Sequence, residues 1–216
     1  MDARKPSTSR RPIGLKAGAM ANGKGYAYVA FGETKILVHA DGPHECSSTA
    51  AAEKAKLELT VRGAKGLTLM LTEVMGATIL LHKYPSCTIR INVLVLRDDG
   101  GLEHAAVVAS SLALMSAGIE LFDMCTAATI MVAEDGQVFF DPPTDFENQH
   151  KNSRRIFVAV LPGLNQILHC KASGKMTAAE TEKYAAEASA QANRLLPFMK
   201  KCLEVYAKGR IANEKQ

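Results

Sequence analysis

The 216-residue sequence predicts a single α+β domain of two layers, in which mixed sheets pack against central helices. Apolar residues recur at every second position in 25–40, 56–61 and 89–95, as they do in half-buried strands. They recur at helical spacing in 67–81 and fill ten of the fifteen positions of 103–117. Strands and helices therefore alternate in the first half of the chain, which is typical of mixed sheets covered by helices.

Turn residues set the predicted ends of these elements. The tight connection Gly32-Glu33-Thr34 makes the first strand region a hairpin. The first helix ends before Pro85, because proline disfavours the helical conformation at the residue that precedes it. The strand after it stops at Asp98-Asp99-Gly100-Gly101. Gly118 then closes the second helix, which we expect to be central and buried because it has little polar surface.

The second half of the chain predicts a hairpin, two more strands and a long helix, at 126–140, 156–161, 164–170 and 177–207. Glu134-Asp135-Gly136 is a strong turn signal for the hairpin. Thr177 and Glu180 have the spacing of a capping box, so we expect the helix to begin there. Pro197 should break or kink it.

Positive charge is concentrated at the two ends of the chain. The net charge is +4; residues 2–11 carry +3 and residues 194–216 carry +4, which leaves −3 on the body between them. We predict a disordered basic tail at 1–11, a folded domain at 12–207 and a C-terminal tail at 208–216. A nucleic-acid partner would therefore meet local basic patches rather than a basic body.

Several classes of function lack their sequence signals. No segment approaches the roughly 18 consecutive apolar residues of a membrane span, and the first residues lack the apolar stretch of a signal peptide, so we expect a soluble intracellular protein without membrane contact. The five cysteines are scattered and form no C-x-x-C pair, which argues against a disulfide framework or a zinc site. Without a phosphate-binding glycine motif either, we predict no metal and no cofactor.

The loop between the predicted strands that end near 140 and begin at 156 decides whether an acidic catalytic site is present. Its acids are Asp141, Asp145 and Glu147, and no further carboxylate follows before residue 156. Proton transfer and metal-assisted chemistry need carboxylates that converge on one point. The second half of the loop instead offers His150, Lys151, Arg154 and Arg155. We interpret it as a catalytic loop that has become a binding or packing loop, and predict no catalytic residues.

Arg62 and Lys65 are the candidate RNA-binding residues. They sit on a glycine-flanked loop between a strand and a helix, where long cations can reach a phosphate backbone. A solvated loop without a ligand is the alternative. His82 and His104 have no partner evident in the sequence, and we expect both to be surface or half-buried side chains.

Three segments resemble one known family. KGYAYVAFGETKILVHADGPHE (24–45) resembles the N-terminal hairpin of the RNase PH family, and YPSCTIRINVLVLRDDGGLEHAAVVASSLALMSAGIEL (84–121) resembles its strand, D-G-G turn and central helix. VFFDPPTDFENQ (138–149) and IFVAVLPGLNQI (156–167) are similar to the eukaryotic members, which are ring subunits of the RNA exosome. Among these the chain most resembles an inert type, first named for messenger-RNA transport. The resemblance covers about 12–207 and implies an RNase PH-like fold.

The resemblance also implies which catalytic groups are missing. Active members are phosphorolytic 3′-to-5′ exoribonucleases, which hold phosphate with arginines and place two acids six residues apart. Glu103 stands where the family has a phosphate-binding arginine after the D-G-G turn. The family's other phosphate-binding arginine lies in the preceding helix, but residues 63–89 contain no arginine at all. A carboxylate at that position repels phosphate. Glu147 matches the first catalytic acid, but Ser153 stands at the position of the second.

The function implied by the resemblance is a non-catalytic subunit of the exosome ring. Such a subunit scaffolds a hexameric ring with other RNase PH-like subunits, meets cap subunits of the S1 and KH types and lines the path of single-stranded RNA. It implies roles in rRNA processing and mRNA turnover, in the nucleus (nucleolus) and the cytoplasm. An active phosphate-dependent 3′-5′ exoribonuclease, alone or sharing a composite site, and a stand-alone RNA-binding oligomer are the alternatives.

Overall fold

The computed structural model describes residues 11–18, 25–45, 52–150 and 152–213, and within them nine strands form two sheets. The strands are β1 (Ile13–Ala17), β2 (Tyr26–Phe31), β3 (Thr34–Glu45), β4 (Lys56–Arg62), β5 (Cys87–Arg97), β6 (Thr126–Val132), β7 (Val138–Phe140), β8 (Arg154–Leu161) and β9 (Gln166–Ser173). The helices are α1 (Leu67–Thr78), α2 (Leu102–Ala117), α3 (Thr144–Gln149), α4 (Ala178–Asn193) and α5 (Leu196–Asn213). Short 3₁₀ turns occupy Leu81–Lys83 and Pro162–Leu164.

The first sheet has five strands in the order β1-β2-β3-β5-β4. Its neighbours are antiparallel except β4 and β5, which run parallel because α1 lies between them in the chain and carries it back to the start of the sheet. This sheet is therefore mixed, as predicted. The predicted hairpin is β2–β3, which closes where Phe31 pairs with Thr34. β3 continues to Glu45, five residues beyond the predicted end of the hairpin, because it pairs with β5 along that length.

The second sheet is antiparallel throughout, in the order β7-β6-β8-β9. The predicted hairpin at 126–140 is confirmed as β6–β7, with its turn at Glu134–Gly136. The two predicted strands around Pro162-Gly163 are confirmed as β8 and β9. The predicted loop between β7 and β8 also contains α3. This helix has six residues, too few for an apolar periodicity to predict it from the sequence.

The central helix α2 contacts both sheets and holds them together. Thirteen of its sixteen residues are buried, including four alanines whose small side chains let the sheets approach closely. Burying each of its larger apolar side chains contributes roughly 1.5–3 kcal/mol of transfer free energy. Gly118 ends the helix in the left-handed conformation, as predicted. A second, smaller core lies between the second sheet and α4, around Ile156 and Tyr184.

The C-terminal helices follow the predicted signals at their start but not at their end. Thr177 and Glu180 form the predicted capping box. The helix breaks at Arg194 and Leu195, so that Pro197 lies in the first turn of α5, where a missing N–H has no helical partner to lose. The predicted tail at 208–216 is wrong for 208–213, because α5 continues to Asn213. Residues 214–216 lie outside the described residues.

Arg11 ties the start of the domain to its interior. Only 3% of this residue is exposed. Its guanidinium donates to both carboxylate oxygens of Asp141 and to the carbonyl oxygens of Asp99 (2.6 Å) and Gly100 (2.9 Å). Placing Arg11 in a disordered tail was therefore wrong: a buried cation is stable only when it is paired, and this one is fully paired. Residues 1–10 of the predicted tail lie outside the described residues.

Gly101 is required where this network meets α2. Its φ of +67° lies in the left-handed region, and a Cβ atom there would collide with the side chains of His104, Asp141 and Arg11. The D-G-G turn is thus fixed by both backbone conformation and space. It brings Asp99 and Gly100 within reach of Arg11.

Asp141→Asn should destabilise the protein by roughly 3 kcal/mol at pH 7, because it leaves the Arg11 charge buried without a carboxylate. Burial acts to raise the pKa of Asp141, but His104 and Arg11 outweigh it and hold that pKa below its usual value. The stabilisation by Asp141 is therefore complete above about pH 5, well above the unfolded pKa, and disappears as the pH falls through the lowered pKa. Urea unfolding at pH 7 and at pH 3 measures both effects.

The matched control for this experiment is Arg97→Met, which breaks an exposed ion pair with Glu33 and should change stability by less than about 1 kcal/mol. If Asp141→Asn is no more destabilising than the control, or if its effect grows at pH 3, the Arg11–Asp141 pair does not anchor the fold.

Candidate functional site

The three acids of the loop between β7 and β8 do not converge. Asp141 is turned inward against Arg11 and His104. Asp145 lies on the exposed side of α3. Glu147, three residues after Thr144 opens the helix, is half-buried and faces Arg155 at the start of β8. A site that needs two carboxylates at one point is therefore not formed by these residues.

Glu147 belongs to a four-residue charge cluster, which we call the charge cluster throughout: Glu103, Glu147, Arg155 and Lys171. Two nitrogens of the Arg155 guanidinium lie 3.4 Å from a carboxylate oxygen of Glu147 and 3.4 Å from one of Glu103. The ammonium of Lys171, on β9, lies 2.7 Å from the other oxygen of Glu103. Two carboxylates thus face two cations, and the formal charge of the cluster is zero.

Glu103 stands where the resemblance to RNase PH expects an arginine that binds phosphate. It lies in the first turn of α2, and the N-terminus of a helix favours negative charge. The carboxylate of Glu103 supplies that charge from within the protein and binds Arg155 and Lys171 at the same time. A free anion would have to displace it, and the predicted repulsion of phosphate agrees with this geometry.

The helix before this turn offers no replacement for the missing anchor. The one charged residue of α1 is Glu73, and no arginine occurs in 63–89. Ser153, at the position of the second catalytic acid, is half-buried and donates its backbone N–H to the carbonyl oxygen of His150 (2.9 Å). Glu103 and Ser153 thus replace two of the missing groups with side chains of different chemistry, and α1 supplies no cation for the third.

The ionisation of Glu147 is disfavoured by its surroundings. Burial raises the pKa of Glu147 above its usual value; Arg155 and Arg11 act against this, while Asp98 and Glu103 add to it. Within the described part of the chain, one oxygen of Glu147 and the Nε of Arg155 are buried without a hydrogen-bond partner. A raised carboxyl pKa suits a general acid, but here no second free carboxylate accompanies it.

His104 was predicted to be a surface or half-buried side chain, and this was wrong, because only 2% of it is exposed. Its Nε2 lies 3.2 Å from Asp141, and its Nδ1 lies 3.2 Å from the hydroxyl of Thr129. The order Asp, His, Thr resembles that of a hydrolytic triad. Thr129 is itself 1% exposed, so a substrate has no access, and the three residues form a polar link between α2, β6 and the loop.

Arg62 and Lys65 are exposed and lie apart from the charge cluster. Arg62 is the last residue of β4, and Lys65 lies two residues before α1. Gly63 and Gly66, on either side of Lys65, have left-handed backbone conformations that shape the connection. Neither cation pairs with a carboxylate of the described residues. The geometry leaves both side chains available to a partner, and their role in binding RNA stays a prediction.

Sequence reasoning missed the partners of Arg11 and Arg155. Arg11 lies in a basic, polar stretch, and its carboxylate partner is 130 residues away. Arg155 was recognised as a cation of the loop, but its sharing between Glu103 and Glu147 depends on the packing of α2 against β8. Within the part of the chain that the structure describes, no group of three metal-ligating side chains occurs. None of the described helices has the length and apolar character needed to cross a bilayer.

Glu147→Gln should leave stability at pH 7 unchanged or raise it by less than about 1 kcal/mol, because glutamine resembles the protonated form that the site prefers. A raised folded-state pKa gives a contribution that is present below the unfolded pKa and is lost as the pH rises. Any gain should therefore vanish below about pH 4. Chemical unfolding between pH 3 and pH 8 measures it.

Asp145→Asn is the matched control, since Asp145 is an exposed acid on the same helix and should show no such pH dependence. A loss of about 2 kcal/mol or more in Glu147→Gln at pH 7 would mean that the ionised carboxylate is a strong structural partner of Arg155, contrary to our interpretation.

Comparison with known proteins agrees with the fold described above. Residues 9–120, more than half of the chain, match the RNase PH family model, described as the 3′ exoribonuclease family, domain 1. The mouse exosome complex component MTR3 is 27% identical, over 97% of this chain and 88% of that protein. Rrp41, an exosome complex component of Cenarchaeum symbiosum, is 26% identical over 94% of this chain and 89% of its own length.

Solved structures show the same fold. The crystal structure of rice Rrp46 superposes with a TM-score of 0.81 and 25% identity, over 94% of this chain and 99% of that one. A chain of an archaeal exosome core superposes with a TM-score of 0.72 over 89% of this chain and 87% of that one, at 14% identity. The predicted RNase PH-like fold is therefore confirmed. This chain belongs to the RNase PH family of 3′ exoribonucleases.

Proposed function

We propose that this chain is a non-catalytic structural subunit of the RNA exosome ring. It packs beside other RNase PH-like subunits in a hexameric ring and contributes to the path of RNA in 3′-5′ processing and degradation, including rRNA processing and mRNA turnover. The support is that the mouse MTR3 and archaeal Rrp41 proteins, which this chain matches over nearly its whole length, are exosome components.

The observation that carries the absence of catalysis is the charge cluster. Phosphorolysis requires an anion to be held beside the scissile bond by positive charge that is not already neutralised. Here Arg155 is shared between Glu103 and Glu147, and Lys171 is bound to Glu103. Glu147, the one acid that matches the catalytic pattern, thus belongs to a cluster whose charge is already neutralised.

The contribution to the RNA path rests on Arg62 and Lys65. Two exposed cations on a short connection can bind the phosphates of a single strand without reading its sequence. Their position at the end of β4 leaves them free of the core packing that holds the charge cluster. In this proposal the ring also meets cap subunits of the S1 and KH types, in the nucleus (nucleolus) and the cytoplasm.

The purified chain should release no nucleoside diphosphates from single-stranded RNA in the presence of phosphate and Mg²⁺. The physical reason is that, among the residues that the structure describes, no unpaired arginine lies beside Glu147 to hold phosphate. Chromatography of the reaction products over a range of phosphate concentrations provides the measurement. Glu147→Gln, prepared in parallel, should be indistinguishable from the unsubstituted chain.

A reconstituted ring containing Glu147→Gln tests the composite-site alternative. Its activity should equal that of the ring with the unsubstituted chain. Diphosphate release that disappears with Glu147→Gln, in the isolated chain or in the ring, would show that this chain is catalytic. Failure of the chain to co-purify with other ring subunits would instead favour a stand-alone RNA-binding oligomer.

Arg62→Glu combined with Lys65→Glu should weaken binding of single-stranded RNA to the reconstituted ring by about tenfold or more. Each lost phosphate contact also lowers the slope of log affinity against log salt by about 0.7. Fluorescence anisotropy with labelled oligouridylate at several salt concentrations measures both quantities. Lys175→Glu combined with Lys208→Glu, which reverses two exposed cations in the loop before α4 and on α5, is the charge-matched control. Equal effects of the two double substitutions would remove Arg62 and Lys65 from the RNA path.

A further inference from the structure

The free edge of β1 lies at one end of the five-stranded sheet. Gly18 donates to the carbonyl of Tyr26 (2.6 Å) and Gly32 donates to the carbonyl of Pro12 (2.9 Å), so the even-numbered residues of β1 bond to β2. Antiparallel pairing alternates, and the backbone groups of Ile13, Leu15 and Ala17 therefore point away from the sheet. The N–H of Ala17 binds the thiol of Cys202. Those of Ile13 and Leu15 have no partner among the described residues.

Helix α5 runs beside this edge and leaves a groove of about 370 Å³ between them. One wall is formed by Ile13 and Leu15, whose side chains also pack partly against the core. The other wall is formed by Phe198 and Val205, one helical repeat of seven residues apart, which are 55% and 64% exposed. Both apolar walls thus lie open beside the outward backbone groups of Ile13 and Leu15, which no described residue pairs.

Two lysines border the groove, Lys16 on the strand and Lys201 on the helix. Both are exposed, and neither forms an ion pair with a described residue. Lysine on an edge strand opposes pairing with a second copy of the same edge, because the like charges would be brought together. The same charge attracts a partner that carries carboxylates.

We propose that this groove binds an extended acidic peptide segment of another protein, which adds to the sheet as a strand alongside β1. The peptide backbone pairs with the outward N–H and C=O groups of Ile13 and Leu15. Alternate side chains of a strand point to opposite faces. Side chains on the peptide face toward α5 therefore meet Phe198, Lys201 and Val205, so this face is apolar with one carboxylate opposite Lys201. Carboxylates on the other face of the peptide reach Lys16.

The unpaired backbone edge separates this proposal from binding of RNA. A polynucleotide contributes phosphates to lysines, but it has no regular series of amide donors and carbonyl acceptors at the spacing of a strand. The inference also stands apart from the proposed ring function, because it uses neither the charge cluster nor the Arg62–Lys65 connection. Its failure would leave the non-catalytic assignment unchanged.

The test uses a fluorescently labelled library of octapeptides, blocked at both ends, in which every position is Asp, Glu, Val, Ile, Leu or Phe. We expect members of the library to bind the purified chain, and binding to weaken by about tenfold or more in Lys201→Glu. Lys200→Glu is the matched control, since Lys200 lies next along α5 but does not line the groove. It should bind the same peptides with unchanged affinity.

A bound peptide is then synthesised in two N-methylated forms, each with alternate amides methylated. In an added strand only one set of amides faces β1, so one form should lose binding and the other should retain it. Phe198→Ala, which removes an exposed ring and leaves the core intact, should weaken both the parent peptide and the tolerated form. Absence of binding at millimolar peptide, or equal loss in both methylated forms, would overturn the proposal. So would a dimer of the chain that Phe198→Ala dissociates, or binding of oligouridylate that depends on Lys201.

Discussion

The buried ion pair between Arg11 and Asp141 is the interaction on which the remaining geometry depends. Arg11 precedes β1 of the first sheet, and Asp141 follows β7 of the second, so the pair connects the two sheets across α2. Breaking a buried pair leaves a charge without compensation, which is far more destabilising than losing a surface pair. The carboxylate of Asp141 therefore holds the start of its loop in one place, and α3 begins three residues later. In this way the same contact that joins the layers also positions Glu147 opposite Arg155.

Two acids of one loop consequently have opposite electrostatic environments. Burial acts to raise the pKa of Asp141, but His104 and the Arg11 guanidinium, which lies 3.8 Å from the carboxylate of Asp99, hold that pKa below its usual value. Glu147 shares its guanidinium with Glu103, and burial raises its pKa. The two pKa values shift in opposite directions because of the number of cations per carboxylate, and not because of the depth of burial. In our proposal it also explains why this site does not bind phosphate, since a guanidinium between two carboxylates has no unneutralised charge to offer.

Much of the fold could be predicted because its determinants are local. The alternation in β2 to β5, the small apolar residues of α2 and the Thr177–Glu180 capping box each act within a few residues. Arg11 and His104 were misjudged because their partners are distant in sequence; the composition around Arg11 is that of a solvated tail, and only the D-G-G turn and Asp141 make it a buried cation. The substitution at Glu103 was found by resemblance, but the sharing of Arg155 required the structure. The end of α5 was predicted too early. The helix continues to Asn213, because no proline follows residue 207 to interrupt it.

The two ends of the five-stranded sheet differ in a way that separates the two kinds of partner that we propose. At the β4 end, Arg62 and Lys65 are cations on a short connection, and in our proposal they bind a polyanion by charge alone. At the β1 end, lysines occur together with an open backbone edge and the exposed Phe198 and Val205, a combination that a polynucleotide cannot satisfy but an extended acidic peptide can. Lysine protects such an edge from pairing with its own copy. The residue that prevents self-association is therefore also the one that selects the charge of the partner.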